Sequence, residues 1–153
     1  MPRMLLLAVS ICCVLGAVNQ VEAAKRRGAV VVSPKCNSEV QREAEVVGKL
    51  QVQGQPVVVV RPEKGDGSWW IQPAPELGER GHFKAKARFG SSTSKKGDKF
   101  FVAILVLRTR QEFEFIKDRE FIGELPAAIA QSEPVSVVLG ESAKKDPDQP
   151  PSR

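Results

Sequence analysis

Between His82 and Phe89 the chain alternates without a break. Phe83, Ala85, Ala87 and Phe89 fall on one side; His82, Lys84, Lys86 and Arg88 fall on the other. A period of two sends successive side chains to opposite faces. The stretch therefore predicts a strand with one face in a core and one in water. Such a strand must bury its apolar face against a second layer.

Most of the remaining signals are also strand-like. Ala29 to Val32 is a short β-branched run closed by Ser33-Pro34. Val46 to Gln53 alternates, with Val46, Gly48, Leu50 and Val52 on one face. Gly54-Gln55-Pro56 reads as a turn. Val57 to Val60 and Phe100 to Leu107 are apolar on both faces, which predicts central, doubly buried strands. Lys64-Gly65-Asp66-Gly67 reads as a hairpin turn leading into Ser68 to Gln72, because Gly and Asp supply the positive φ such turns need. Pro73, Pro75 and Gly78 mark a loop, and Gly90 to Lys99 a polar hairpin loop. Val135 to Leu139 is the last strand. Residues 111–122 fit either a strand edge or a helical turn, through Phe113, Phe115 and Ile116. Gly123, Pro126 and the stretch Ala127-Ala128-Ile129-Ala130 predict a connection that contains a short helix before the last strand. About seven strands with tight turns make an all-β fold, a Greek-key β-sandwich with a short helical connection.

The N-terminus carries a different signal. Arg3 precedes an uncharged run from Leu5 to Val18, and Val21-Glu22-Ala23 ends it with small residues where a signal peptidase reads. That order predicts an export signal over residues 1–23, cleaved after Ala23. An uncleaved anchor and a lipoprotein signal are the alternatives; the residues before Cys12 and Cys13 suit the second poorly. Residues 24–28 then form a flexible basic N-terminus, 29–140 the sandwich, and 141–153 a polar, Pro-rich disordered tail. Cleavage leaves Cys36 as the sole cysteine, expected as an unpaired thiol near a surface turn. Stability must then come from packing rather than from an internal disulfide. The formal net charge of +5 is unchanged by cleavage, since the signal holds one Arg and one Glu. This mild excess favours contact with anionic polymers or surfaces outside the cell.

Three stretches carry a resemblance. Val32-Ser33-Pro34 followed by Glu39-Val40 and Val46-Val47-Gly48 is the first. Val57 to Pro62 (VVVVRP) followed by Trp69-Trp70-Ile71-Gln72-Pro73 is the second. Phe83 to Gly90, then Gly97, then Phe100 to Leu107 is the third. Together they resemble the bacterial exported immunoglobulin-like β-sandwich domains. The chain departs from antibody-type domains in having no pair of cysteines to bridge the sheets and no Tyr for a tyrosine corner. The resemblance implies a binding or structural module, because such sandwiches host many unrelated roles.

Catalytic patterns are thin. His82 is the only His, and a Cys36–His82 dyad competes with a simple exposed strand His. Glu112 and Glu114 would share a face of an extended strand, as glycoside cleavage needs, but they sit in a mixed-charge run that reads as a solvated face. No G-x-S-x-G or H-E-x-x-H motif is present. Asp66 and Asp98 stand alone in Gly-bearing turns, so no calcium loop, other metal site or cofactor is expected.

Trp69-Trp70 is the sharpest feature. Adjacent strand residues face opposite ways, so one Trp fits the core and the other lies outside it unless covered by a loop or by Lys and Arg stems. An exposed Trp beside Gln72 could stack on a sugar or anchor a partner. The strip Lys84, Lys86 and Arg88 could flank it. The expected ligand-binding set is therefore Trp69, Trp70, Gln72, Lys84, Lys86 and Arg88. The expected role is a non-catalytic exported module that binds an envelope or extracellular protein or a polysaccharide, in the periplasm, at the cell surface or in the medium. Neither nucleic acid nor, after cleavage, a membrane span is expected. The alternatives are an adaptor acting through an edge strand and a carbohydrate-binding module.

Overall fold

The computed structural model describes residues 28–117, 120–122, 125 and 127–141. The expected signal peptide, almost all of the basic N-terminus and the tail beyond Glu141 lie outside the described residues.

Among the described residues, eleven strands, a 3-10 turn at Glu79–Gly81 and one α-helix follow in chain order. The longer strands are β1 (Ala29–Ser33), β3 (Glu43–Leu50), β4 (Gln55–Pro62), β5 (Ser68–Ile71), β7 (His82–Arg88), β8 (Lys99–Leu107) and β11 (Val135–Leu139). These are the seven that the sequence predicts. Four short strands join them: β2 (Ser38–Val40), β6 (Glu76–Leu77), β9 (Glu120–Ile122) and β10 (Ala130–Gln131). One sheet has the order β1-β3-β7-β6. The other has the order β2-β11-β8-β4-β5-β9, with β10 on β8. Neighbours pair antiparallel except β11 and β2, which run parallel.

The two apolar runs explain the layering. Val57 to Val60 and Val102 to Val106 are fully buried. Along both strands the even residues (Val58, Val60, Val102, Ile104, Val106) meet Val46, Phe83, Ala85 and Phe89 of the other sheet. The odd residues (Val57, Val59, Ala103, Leu105, Leu107) form a second core on the outer face with Trp69, Phe113 and Ile116. A strand reads as apolar throughout when both faces are covered. Here one face has a sheet and the other a helix. In β7 the alternation holds residue by residue: Phe83, Ala85 and Ala87 are buried, and His82, Lys84, Lys86 and Arg88 are exposed.

The helix is not where the Ala-rich stretch put it. Helix α1 spans Arg110–Ile116, inside the ambiguous segment. Its start is chemically marked. The Thr109 hydroxyl accepts the Glu112 N–H at 3.2 Å, and Glu112 Oε2 accepts the Arg108 N–H at 2.8 Å. This T-x-x-E pattern satisfies N-terminal donors that would otherwise lack partners. Phe113 and Ile116, three apart on one helix face, seal the outer core, and Phe115 points out. Over 127–130 the expected helical connection is not helical, because β8 offers that stretch an edge, while residues 123, 124 and 126 of the connection lie outside the described residues. The Ile129 N–H bonds Val106 O at 2.9 Å, and the Ser132 N–H bonds Ile104 O at 2.8 Å.

Strand β3 also begins and ends three residues earlier than its predicted span. The Gln51 N–H turns to Gly28 O, and Val52 is exposed. The gained residues set Glu43 opposite Arg88 and Glu45 opposite Lys86. Gly48 is required where it stands, because Phe83 lies over it and occupies the space a Cβ would need.

Candidate functional site

Trp69 and Trp70 take opposite faces of β5. Trp69 turns outward but is only 4% exposed, covered in the outer core beside Phe113 and Ile116. The Arg61 guanidinium lies 4.8 Å from its ring centroid and 5.2 Å from that of Phe101. An arginine placed so closely over two aromatic rings closes that face. Trp70 turns toward the other sheet, half-buried, and packs on the inter-sheet core.

A cleft of about 820 Å³ opens where the end of β5 parts from β7. Trp70, Ile71 and Pro73 line it from one sheet, Lys86 and Arg88 from the other, and Ser91 and Ser92 from the loop after β7. Four of the six expected residues therefore meet: Trp70, Gln72, Lys86 and Arg88. The other two do not line it. Trp69 is held in the outer core, and Lys84 lies farther along β7, its Nζ 3.4 Å from Glu45 Oε1.

Gln72 has a different role from the one its neighbours suggest. It is buried, and both ends of its amide are used. Nε2 donates to Trp70 O at 3.0 Å, and Oε1 accepts the Arg88 N–H at 2.8 Å. The backbone of Gln72 belongs to the other sheet, its N–H bonding Val58 O at 2.9 Å. Its side chain therefore ties the two sheets together at the back of the cleft. A buried amide with such partners is fixed in place.

The loop wall is equally built. Arg42 donates through Nη1 to Ser91 O and through Nη2 to Ser94 O, the latter at 3.2 Å. The Ser91 N–H bonds Ser94 Oγ at 3.0 Å, and the Lys95 N–H bonds Asp98 Oδ2 at 2.7 Å. Gly90 holds φ +82°, and Ser94 fills the place of a Cβ, so only glycine suits the turn. Neither Lys86 nor Arg88 makes an ion pair among the described residues, although Glu43 shares the rim.

Sequence reasoning missed Glu43, Pro73, Ser91 and Ser92. Glu43 carries no signal, because the alternation legible in the sequence starts at Val46. The two serines sat in a loop read only as polar.

The dyad and carboxylate readings gain no geometry. His82 pairs with Lys49, at the level of Val30, while Cys36 lies beyond the other end of the β1–β3 ladder, exposed and free. Glu114 lies on a helix and bonds Lys117 Nζ at 2.7 Å. That partner holds its carboxyl below the usual glutamate range, with help from Arg110. Among the described residues no three His, Cys, Asp or Glu side chains gather as a metal site would require. No helix among them is long and apolar enough to cross a membrane.

Comparison with protein-family models, with curated proteins and with solved structures found no match.

Proposed function

We propose that the chain is an exported immunoglobulin-like β-sandwich that works by binding, without catalysis, and that the Trp70 cleft is its site. The convergence of Trp70, Lys86 and Arg88 on one preformed cleft carries this reading. An apolar floor with a few placed charges is the usual make-up of a ligand site. Two cations with no ion pair among the described residues favour a ligand that brings negative charge, from an envelope protein or a cell-surface polysaccharide.

Strand order supports the immunoglobulin-like part. Such sandwiches place their first, second, fifth and fourth strands in one sheet, and their third, sixth and seventh in the other. Taking β1 and β2 as one first strand split between sheets, β1-β3-β7-β6 and β11-β8-β4 follow that order. The helix layer, β5, β9 and β10 are additions to it. Export rests on the N-terminal pattern, and N-terminal sequencing of the protein from its native host should begin at Ala24.

The site is tested by amide NMR titration of the protein with a short acidic peptide and with an oligogalacturonate. Shifts confined to Gln72 and to residues 86–92 are expected from at least one probe. Shifts elsewhere only, or none, would sink the proposal.

A further inference from the structure

We infer that the cleft is one half of a longer groove whose occupant is a linear anionic glycan, an inference that rests on the binding site proposed above. Trp70 borders two depressions. The second, of about 450 Å³, adjoins Pro62, Lys64, Trp70, Ser94, Lys99 and Phe100. The loop after β7 lines both, with Ser91 and Ser92 in the first and Ser94 and Gly97 in the second. Two depressions that share one aromatic residue and one loop suit a chain-like ligand better than a compact one.

Charge follows the same track. Lys86 and Arg88 stand at one end, Lys64 and Lys99 at the other, all exposed and none in an ion pair among the described residues. Three carboxylates, Glu43, Glu63 and Asp98, line it too. Asp98 is already engaged by the Lys95 N–H. Each end thus carries two cations beside its carboxylates, Glu43 opposite Arg88 and Glu63 and Asp98 next to Lys64 and Lys99, and the cations outnumber the carboxylates, which suits a polymer that repeats carboxylates among hydroxyls. The cations take its carboxylates by charge-assisted bonds, the serines and glutamates take its hydroxyls, and the indole takes the apolar face of a sugar ring.

The backbone argues against the main competitor, an extended peptide. Adding a strand needs free main-chain donors and acceptors along an edge. Here the Arg88 N–H is held by Gln72, the Phe89 N–H by Arg42 O at 2.8 Å, and the Glu63 N–H by Lys99 O at 2.9 Å. Pro62 and Pro73 have no N–H to offer. Recognition falls to side chains, as with a glycan.

The test is calorimetric titration of the protein with galacturonate dimer, tetramer and hexamer. Neutral maltohexaose and the capped peptide acetyl-EVEVE-amide serve as comparisons. Affinity should rise about tenfold or more from dimer to hexamer as the second half of the groove fills. Replacing both Lys64 and Lys99 by Glu should weaken the hexamer about tenfold and leave the dimer unchanged. Replacing Lys86 and Arg88 by Glu should weaken both. Because a carboxylate at positions 86 and 88 would face Glu45 and Glu43 across the ladder, circular dichroism and a Lys86→Gln, Arg88→Gln pair check that the loss of binding is not a loss of fold. If dimer and hexamer bind alike and Lys64 and Lys99 do not matter, the groove inference is overturned and the cleft stands. The same holds if only the peptide binds, or if maltohexaose binds as well as the galacturonates. If no probe binds and none shifts the amides of Gln72 and residues 86–92, both fall.

Discussion

The side-chain oxygen of Gln72 accepts the backbone N–H of Arg88 at 2.8 Å, across the gap between the two sheets. One residue thereby does what a ladder bond would do inside a sheet. It fixes the distance between the floor and the rim of the cleft. Removing it leaves a part-buried donor without its partner, at a cost of about 1 kcal/mol, the lower end of the range for such groups. Gln72→Ala should lower stability by about 1 kcal/mol in urea unfolding and speed amide exchange at Arg88. Unchanged exchange at Arg88 would show that the bond does not hold the sheets.

The tryptophans should separate cleanly by accessibility. Trp69 is 4% exposed, whereas Trp70 is half-buried at the cleft. In iodide quenching, Trp69→Phe should leave an emission that is quenched, and Trp70→Phe should leave one that is shielded. The reverse pattern would place the wrong ring at the site.

Gly48 should not tolerate a methyl group. Its Cβ position is occupied by Phe83 and approached by Ile104, which is fully buried. Overpacking of this kind costs about 1–3 kcal/mol. Gly48→Ala should show that loss in denaturant midpoint, and Gly48→Ala with Phe83→Leu should recover part of it.

Lys84 should be dispensable where Lys86 and Arg88 are not. It lies opposite Val47 and pairs with Glu45, outside the cleft lining. Lys84→Ala should leave anion binding unchanged, while Lys86→Ala with Arg88→Ala lowers it. Equal losses from all three would mean that only net charge is read.

Glu114 should titrate early. Lys117, first by its hydrogen bond and then by its charge, and after it Arg110, hold its pKa below the ordinary 4.5. A depressed carboxylate favours the folded state above its unfolded pKa and loses that effect as pH falls through the folded value. Carboxyl NMR should place the Glu114 midpoint below that of an exposed reference glutamate, and Lys117→Ala should raise it. The effect on stability is small, because the group is at the surface.

The sequence by itself determined the strands whose chemistry is local. Alternation from His82 to Phe89 and the two apolar runs at Val57–Val60 and Phe100–Leu107 need no partner to be recognised, since a period of two and double burial are written in side-chain type. It also determined that Trp69 and Trp70 must part company across a strand. What covers each ring was decided only in three dimensions. Helix α1 could be read from Thr109 and Glu112, yet Phe113 and Phe115 equally suited a strand until Leu105 and Leu107 gave Phe113 and Ile116 a surface to bury. The Ala-rich stretch has high helix propensity, but the free edge of β8 captured it, and pairing outweighs a preference of a few tenths of a kcal/mol per residue. The cleft was the least legible of all. It exists because Gln72, Arg88 and Ser91 come from segments far apart in the chain, and only the stacking of two sheets brings them to one place.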